Sequence, residues 1–361
     1  MIETWQAQIK EAAARKTPLQ LSGGGTKDQL GEIVQGQRFD TRAHAGIVAY
    51  EPNELVMTAR CGTPLAEVEK TMAEAGQMLA FEAPYARDGA TIGGAFASGL
   101  SGPRRPYVGA VRDFVLGAEI IDGKGDYLRF GGQVMKNVAG FDVSRLQCGA
   151  WGTLGLVTQV SFKCLPLPKA QATLRMQLSA DQFLERCATW ASAPLPISGA
   201  AWVDGVARVR LSGAHAAVKS ATEKLGGEQA NDDAWWADLR DQRLPFFNAT
   251  ESVVLWRLSV KATSPFETPF AQHGGQLLDW SGAQRFVRTS QGQSKSVRAW
   301  AEKNGGHAQV IGNAERGVTR FHLIQPALLT IHQRMKTTFD PYGIFNVGRL
   351  IAESVTERVG Q

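Results

Sequence analysis

Three glycine-rich turns follow one another within residues 89–157, and this succession limits the folds that the chain can form. They are Gly89-Ala-Thr-Ile-Gly-Gly94, Gly131-Gly-Gln-Val-Met-Lys-Asn-Val-Ala-Gly140 and Gly149-Ala-Trp-Gly-Thr-Leu-Gly155, each close to an apolar run typical of a β-strand. A fourth turn, Ser22-Gly-Gly-Gly-Thr-Lys27, precedes them. Glycine lacks a Cβ and adopts positive φ without strain, so such turns let the backbone approach a phosphate or a planar ring closely. Their succession favours a flavin nucleotide as ligand.

The turn at 22–27 does not fit the two commonest phosphate-binding loops. No Gly-Lys-Ser/Thr closes it, as a nucleotide P-loop requires, and no Gly-x-Gly-x-x-Gly opens a helix there. Taken singly, each glycine motif also fits a flexible turn or a close helix-packing contact. The order and spacing of the motifs carry the flavin prediction.

The composition is that of an ordinary globular protein. A chain of 361 residues, 43% of them hydrophobic, predicts two domains or one domain with a large insertion. The net charge is +5 and no Lys/Arg run is interleaved with aromatic residues, so we expect no nucleic-acid partner.

Cysteine spacing and hydropathy indicate the compartment. The four cysteines form no Cys-x-x-Cys pair, which argues against an iron–sulfur or structural zinc site and favours buried thiols in a reducing compartment. No apolar run approaches the roughly 18 residues of a membrane span. We therefore expect a cytoplasmic protein that reaches the inner membrane only through partners.

The pattern of apolar residues predicts an α+β chain. Residues 3–16 are predicted as a helix and 19–21 as a strand, and Thr63 is predicted to cap a helix that begins at Pro64 and ends at Gly76. Residues 114–130 are predicted as a hairpin and 156–162 as a strand. The glycine-and-strand pattern ends near Pro168, where a separate α+β unit is expected to begin.

Several further motifs are shared with a known group of flavoproteins. They are Gly102-Pro-Arg-Arg105, Tyr107-Val-Gly-Ala-Val-Arg-Asp-Phe-Val-Leu-Gly117, Lys136-Asn-Val-Ala-Gly-Phe-Asp142 and Asp340-Pro-Tyr-Gly-Ile-Phe-Asn346. With the order of the glycine turns, the chain resembles flavoproteins of the vanillyl-alcohol-oxidase type, which have a p-cresol-methylhydroxylase-like FAD domain, over residues 15–168 and 339–350. Within that group, it is most similar to the FAD-binding E subunits of bacterial glycolate oxidases.

The resemblance implies a division of the chain into three segments. Residues 1–168 form an FAD-binding domain of two subdomains, and 169–300 form a reduced α+β cap. Residues 301–361 form a C-terminal segment that returns to the flavin pocket.

The resemblance also implies where FAD binds. The pyrophosphate lies on the loops 22–27 and 89–94, and the flavin ring lies against the segments 109–113 and 152–157. The predicted cofactor-binding residues are Ser22, Gly23, Gly24, Gly25, Thr26, Lys27, Gly89, Ala90, Thr91, Ile92, Gly93, Gly94, Ser98, Gly109, Ala110, Arg112, Asp113, Gly152, Thr153, Gly155, Val157, Asn346 and Arg349.

Two details refine this expectation. Covalent flavin attachment in this fold commonly uses a His or Cys in or near the glycine loops, and neither of the first two loops contains one, so we expect non-covalent FAD. The tail has Asn346-Val-Gly-Arg349 where the family has Asn-Pro-Gly-Arg/Lys. The missing proline frees φ at Val347 but leaves both polar side chains available.

Oxidation of a 2-hydroxy acid on a flavin needs a cation for the carboxylate and a base or metal for the hydroxyl proton. The six histidines, His44, His215, His273, His307, His322 and His332, are dispersed, so no metal site is predicted. His307 lies in a glycine-rich turn and is the histidine best placed to reach the flavin, but its position favours a surface-loop histidine. Arg104, Arg105, Arg320 and Arg349 are candidate carboxylate or phosphate ligands or ordinary surface residues. No catalytic residue is assigned.

The absence of metal and iron–sulfur motifs from the sequence favours a subunit of a hetero-oligomer. The resemblance implies a sister FAD subunit that oxidises glycolate to glyoxylate and an iron–sulfur subunit that passes electrons on to quinone, with the flavin of this chain as a relay or a structural group. Two other functions also fit the sequence. One is a self-sufficient FAD-dependent dehydrogenase of a 2-hydroxy acid or alcohol, and the other is a non-catalytic scaffold whose FAD site has decayed.

Overall fold

The computed structural model of the chain describes residues 1–85, 88–132, 142–270, 275–315 and 317–351. The helices are α1 (Ile2–Arg15), α2 (Leu65–Glu74), α3 (Ile92–Ser98), α4 (Arg105–Val108), α5 (Val111–Phe114), α6 (Val143–Gln147), α7 (Ala180–Ala191), α8 (His215–Leu225), α9 (Asp233–Arg240), α10 (Ser294–Lys303) and α11 (Pro326–Phe339). The strands are β1 (Leu19–Ser22), β2 (Gln37–Asp40), β3 (Ile47–Glu51), β4 (Val56–Arg60), β5 (Gln77–Met78), β6 (Val115–Ile121), β7 (Tyr127–Gly131), β8 (Leu156–Lys163), β9 (Leu165–Pro166), β10 (Ala170–Gln177), β11 (Ile197–Val203), β12 (Val206–Gly213), β13 (Glu228–Ala230), β14 (Val253–Ser259), β15 (Gln276–Asp279), β16 (Gln284–Ser290) and β17 (His307–Gly312). Most of the glycine turn 131–140, most of the motif 136–142, and His273 lie outside the described residues.

The chain forms two compact units. The first contains Met1–Ser101, Gly109–Leu167 and Leu323–Gln361, and the second contains Gly102–Val108 and Pro168–His322. One border between the units lies at Leu167/Pro168, and another lies at His322/Leu323. Strand β17 pairs with β14 along Trp256 to Ser259, which keeps the chain in the second unit beyond residue 300.

A five-stranded antiparallel sheet, in the order β3-β4-β8-β6-β7, organises the first unit. The central strand β8 was predicted at 156–162 and extends one residue further. Its residues Val160 and Phe162 are almost fully buried. A strand held by neighbours on both sides fixes the end of the turn 149–155 that precedes it.

Strand β1 and the C-terminal segment of the first unit are joined. β1 pairs in parallel with β2, and the amide of Leu19 donates a hydrogen bond of 2.7 Å to the carbonyl of Ile344. The tail residue Phe345 forms a β-bridge with Leu19. The predicted return of the C-terminal segment therefore ends beside the strand that leads into the turn 22–27.

Two helix starts in the first unit differ in how they are capped. Pro64, not Thr63, is the N-cap of α2, and it makes no side-chain capping bond. The Thr63 hydroxyl instead donates to the carbonyl of Arg60 at 2.7 Å, so the predicted cap was wrong. Helix α3 is capped by Thr91, whose hydroxyl accepts the Gly94 amide at 3.2 Å.

An eight-stranded sheet, in the order β13-β10-β12-β11-β15-β16-β14-β17, organises the second unit. Alternate residues of its strands pack on one face against α7 and α8 in one cluster and against α10 in another. Strands β11 and β12 form a hairpin that begins at Ile197. The segment Gly102–Val108 belongs to this unit, where Tyr107 bonds Ser281 at 2.7 Å and the Gly102 carbonyl accepts the Trp280 indole N–H at 2.9 Å.

Within the described ranges, no helix is both long and apolar enough to cross a membrane.

Candidate cofactor site

A cleft in the first unit is lined by residues from four separate segments. The segments are the turn after β1, the start of α3, the turn before β8 and the C-terminal tail. The cavity between its walls has a volume of about 120 Å³. The predicted residues that line it are Ser22, Gly23, Gly24, Gly25, Thr26, Lys27, Thr91, Gly93, Gly94, Ser98, Gly152, Gly155, Val157, Asn346 and Arg349.

The turn 22–27 offers unpaired backbone donors to this cleft. Among the described residues, the amides of Gly23, Gly24, Gly25 and Thr26 find no hydrogen-bond acceptor. Gly25 has a φ of 71°, a conformation that glycine adopts without strain. Four consecutive N–H groups of this kind suit a phosphate or pyrophosphate anion.

Glycine is required where the first two loops meet. A Cβ on Gly24 would lie 2.0 Å from the carbonyl oxygen of Gly89, and a Cβ on Gly23 would lie 2.5 Å from the hydroxyl of Thr91. Neither distance is possible for real atoms. The two loops therefore approach closely, with Gly24 against the backbone of Gly89 and Gly23 against the hydroxyl of Thr91.

The amides at the start of α3 bind protein and not the cleft. The Ile92 amide donates to Thr63 O, and the Gly93 amide donates to Cys61 O, both at 2.9 Å. The Gly94 amide donates to its capping threonine, as described above. These three amides are therefore paired within the protein, while Thr91, Gly93 and Gly94 still line the cleft. That the pyrophosphate lies on the loop 89–94 stays a prediction.

Asn346 ties the tail to two walls of the cleft. Its Oδ1 accepts the Leu21 amide at 2.8 Å, and its Nδ2 donates to the Trp151 carbonyl at 2.7 Å. A Cβ on Gly152 would approach Nδ2 to 2.8 Å, which explains why glycine follows the tryptophan. One buried amide thus holds the turn before β8 next to β1.

Arg349 supports the phosphate-facing turn from behind. Its Nη2 donates to the Lys27 carbonyl at 2.6 Å, and its Nη1 donates to the carbonyls of Asp28 and Glu32, both at 3.1 Å. Its guanidinium also lies 5.3 Å from the centre of the Trp151 ring. The residue that was a candidate carboxylate or phosphate ligand binds carbonyl groups in this structure.

Lys27 and Cys61 are two of the side chains that affect the electrostatics of the cleft. Lys27 is buried, with its Nζ 3.3 Å from the Thr26 hydroxyl and 5.3 Å from the centre of the Tyr85 ring. Cys61 also lines the cleft, and burial raises the pKa of its thiol to about 12. The cysteine is therefore a neutral thiol at physiological pH, and the lysine supplies positive charge for an anion.

Eight predicted residues lie outside this cleft. They are Gly89, Ala90, Ile92, Gly109, Ala110, Arg112, Asp113 and Thr153. Asp113 accepts the Ala110 amide at 2.8 Å and so shapes the start of α5. The Thr153 hydroxyl donates to the Ala150 carbonyl at 2.7 Å.

Sequence reasoning missed nine residues that line the cleft: Gln20, Leu21, Asp28, Val34, Thr41, Cys61, Ala97, Trp151 and Leu156. The sequence could have indicated Trp151, because this large residue lies between Gly149 and Gly152 in the third turn. It adopts a φ of 54°, which is unusual for a bulky residue.

Comparison with known proteins identifies the family. Residues 2–131 match the family described as FAD binding domain. Glycolate oxidase subunit GlcE of Escherichia coli (strain K12) is 45% identical over 347 residues, covering 96% of this chain and 96% of that protein. The chain belongs to the GlcE family. Glycolate oxidase subunit GlcD of Bacillus subtilis (strain 168) is 43% identical over 84 residues, which are 23% of this chain and 18% of that protein.

A solved structure supports the fold of this GlcE family member. Alkyldihydroxyacetonephosphate synthase matches it with a TM-score of 0.66 at 15% identity, covering 95% of this chain and 73% of the other. The fold is therefore the α+β, vanillyl-alcohol-oxidase type that the motifs predicted, and the cofactor of this oxidoreductase family is FAD.

Among the described residues, no group of three or more His, Cys, Asp or Glu side chains is placed to hold a metal ion.

Proposed function

We propose that this chain is the FAD-binding subunit of a glycolate oxidase complex and holds its FAD without a covalent bond. The sister FAD subunit would oxidise glycolate to glyoxylate, and an iron–sulfur subunit would carry the electrons onward. The flavin of this chain would serve as an electron relay or a structural group. The complex would be cytoplasmic and would meet the membrane through its other subunits.

One observation carries the proposal: the cleft matches the chemistry of FAD, in a chain that is similar to a glycolate oxidase subunit over nearly its full length. The unpaired amides of Gly23, Gly24, Gly25 and Thr26 suit the pyrophosphate, and Lys27 supplies a cation beside them. These donors are fixed by the glycine contact with the second loop and by Arg349 behind them. The residues present therefore fit the cofactor.

Three elements of the cleft have roles in binding the cofactor and none in a reaction step. FAD, when bound, accepts and donates electrons. The turn 22–27 binds and orients the phosphates, and Asn346 keeps the walls of the cleft at a fixed spacing. Cys61, the cleft-lining cysteine, remains protonated because its pKa is about 12, so it is a poor nucleophile for a covalent flavin link.

The visible spectrum of the purified full chain tests the proposal. We expect a flavin spectrum that acid precipitation releases completely into the supernatant. We expect glycolate, added without oxygen, to leave this flavin oxidised until the other subunits are supplied.

Three results would contradict parts of the proposal. Flavin that stays with the acid precipitate would show a covalent bond. Bleaching by glycolate would make the isolated chain a self-sufficient dehydrogenase. A chain that stays colourless after FAD is added would support the scaffold alternative with a decayed site.

A further inference from the structure

A lysine in the last turn of α11 donates hydrogen bonds to three other groups of the first unit. The Nζ atom of Lys336 donates to the carbonyls of Thr153 and Phe345, both at 2.8 Å, and to the carboxylate of Asp340 at 2.5 Å. An ammonium group has three donors and no acceptor. The hydrogen-bonding capacity of this lysine is therefore fully used within the protein.

The carboxylate that faces Lys336 shapes the tail. Asp340 is 2% exposed, and its two oxygens also accept the amides of Ile344 at 3.1 Å and Phe345 at 2.8 Å. Hydrogen bonds to an ionised group are stronger than those between neutral groups. The lysine and the aspartate together fix the backbone of Phe345, the residue that precedes Asn346.

The other carbonyl bound by Lys336 belongs to the turn before β8. Asn346 binds the carbonyl of Trp151 in this turn, and Lys336 binds that of Thr153. Gly152 lies between these two residues and lines the cofactor cleft with a φ of 67°. The carbonyls on both sides of this glycine are thus held by side chains of the C-terminal segment.

A glycine in the wall of a cleft needs neighbours that hold it. Glycine has more backbone freedom to lose on folding than any other residue. Without the bond to the Thr153 carbonyl, the turn would be held by a side chain of the C-terminal segment on one side of Gly152 only. Lys336 does not itself line the cleft, so its effect on a cofactor would pass through this turn.

We propose that Lys336 is a positioning residue for the bound cofactor, and that it holds Gly152 in place beside the flavin through the carbonyls of Thr153 and Phe345. The inference deepens the proposed function and rests on it, because it requires FAD in this cleft. In this role the ammonium group transfers no proton and no electron. It fixes the backbone that meets the cofactor.

Variants of the full chain test this role. Lys336→Met removes all three hydrogen bonds, whereas Lys336→Arg keeps a cation that can bind carbonyls and the carboxylate. The matched control is Lys70→Met, because Lys70 also faces an acid four residues further along its helix, Glu74, but is exposed. The readouts are the FAD dissociation constant, the visible circular dichroism of the bound flavin at saturating FAD, and the urea midpoint of the FAD-free chain.

We expect Lys336→Met to raise the FAD dissociation constant by about tenfold or more, because it loses charge-assisted hydrogen bonds. The flavin that remains bound should have altered visible circular dichroism. Lys336→Arg should recover the parental dichroism and most of the affinity, and Lys70→Met should match the parent in both. A lowered urea midpoint together with parental affinity and dichroism in Lys336→Met would overturn the inference, because it would show a role in stability alone.

The design separates this inference from the proposed function. A parent chain that binds no FAD would overturn both. A parent chain that binds FAD, together with a Lys336→Met variant that matches it, would overturn the inference alone. If Lys336→Met does not fold, Lys336→Gln, whose amide can still donate two hydrogen bonds, decides by the same readouts.

Discussion

The link made by Asn346 predicts that its side chain controls both stability and FAD binding. Asn346→Ala removes the acceptor for the Leu21 amide and the donor for the Trp151 carbonyl, leaving both main-chain groups without these partners. Each buried group left unpaired reduces the free energy of unfolding by about 1–3 kcal/mol, so the variant should lose about 2–6 kcal/mol in total. Because Asn346 has a φ of 41°, alanine adds some backbone strain.

Urea unfolding of the FAD-free protein and titration with FAD would measure the two effects. We expect a lower urea midpoint and an FAD dissociation constant raised by tenfold or more, corresponding to about 1.4 kcal/mol or more. Asn304→Ala is the matched control, since Asn304 makes a local bond of 2.8 Å to the Trp300 carbonyl at the end of α10. It should lower stability by about 1 kcal/mol without affecting FAD. A parental midpoint together with parental FAD affinity in Asn346→Ala would refute the reasoning.

Three further predictions concern the cleft and the second unit. Gly24→Ala places a Cβ 2.0 Å from the carbonyl oxygen of Gly89 and should abolish FAD binding in a folded chain. Gly132→Ala is the control and should bind FAD normally, because no atom lies within 4 Å of its Cβ. Flavin absorbance measures the binding, and circular dichroism measures the folding. Cys61→Ala should release the same fraction of flavin on acid precipitation as the parent chain, because a thiol with a pKa of about 12 is a poor nucleophile. A parent chain that retains flavin in the precipitate, together with a variant that releases it, would contradict this. The pKa of Asp232 lies below its ordinary 3.8, mainly because Arg175 donates a hydrogen bond to its carboxylate. The ionised carboxylate therefore stabilises the fold above pH 3.8, and this stabilisation is lost as the pH falls through the lowered pKa. Asp232→Asn should flatten the acid limb of the free energy of unfolding against pH, and an unchanged slope would count against the pair.

The regular elements of the fold were the most predictable part. The strand β8 and the hairpin β6–β7 follow from runs of apolar residues bounded by turns. The pairing of a late strand, β17, with β14, which lies about fifty residues earlier, was not predicted. Local patterns do not encode pairing over such separations.

The candidate site was predictable in its loops but not in its hydrogen bonds. Glycines marked the turns 22–27 and 149–155 because they permit close contacts that a Cβ would block. No pattern showed that the amide of Gly93 is already bound to Cys61, or that Arg349 supports the phosphate-facing turn through its carbonyls. Those facts depend on which distant segments meet, and the sequence alone does not specify them.

The segment Gly102–Val108 limits where the protein can be cut into separately expressed fragments. The chain passes between the two units at Ser101, Val108, Leu167 and His322, so neither unit is a continuous stretch of the gene. A fragment expressed from Pro168 to His322 would lack Tyr107, the hydrogen-bond partner of Ser281, and the Gly102 carbonyl that accepts the Trp280 indole. Truncation libraries should therefore give insoluble products at each of these borders. A separable second unit would require residues 102–108 to be grafted onto it through a designed linker.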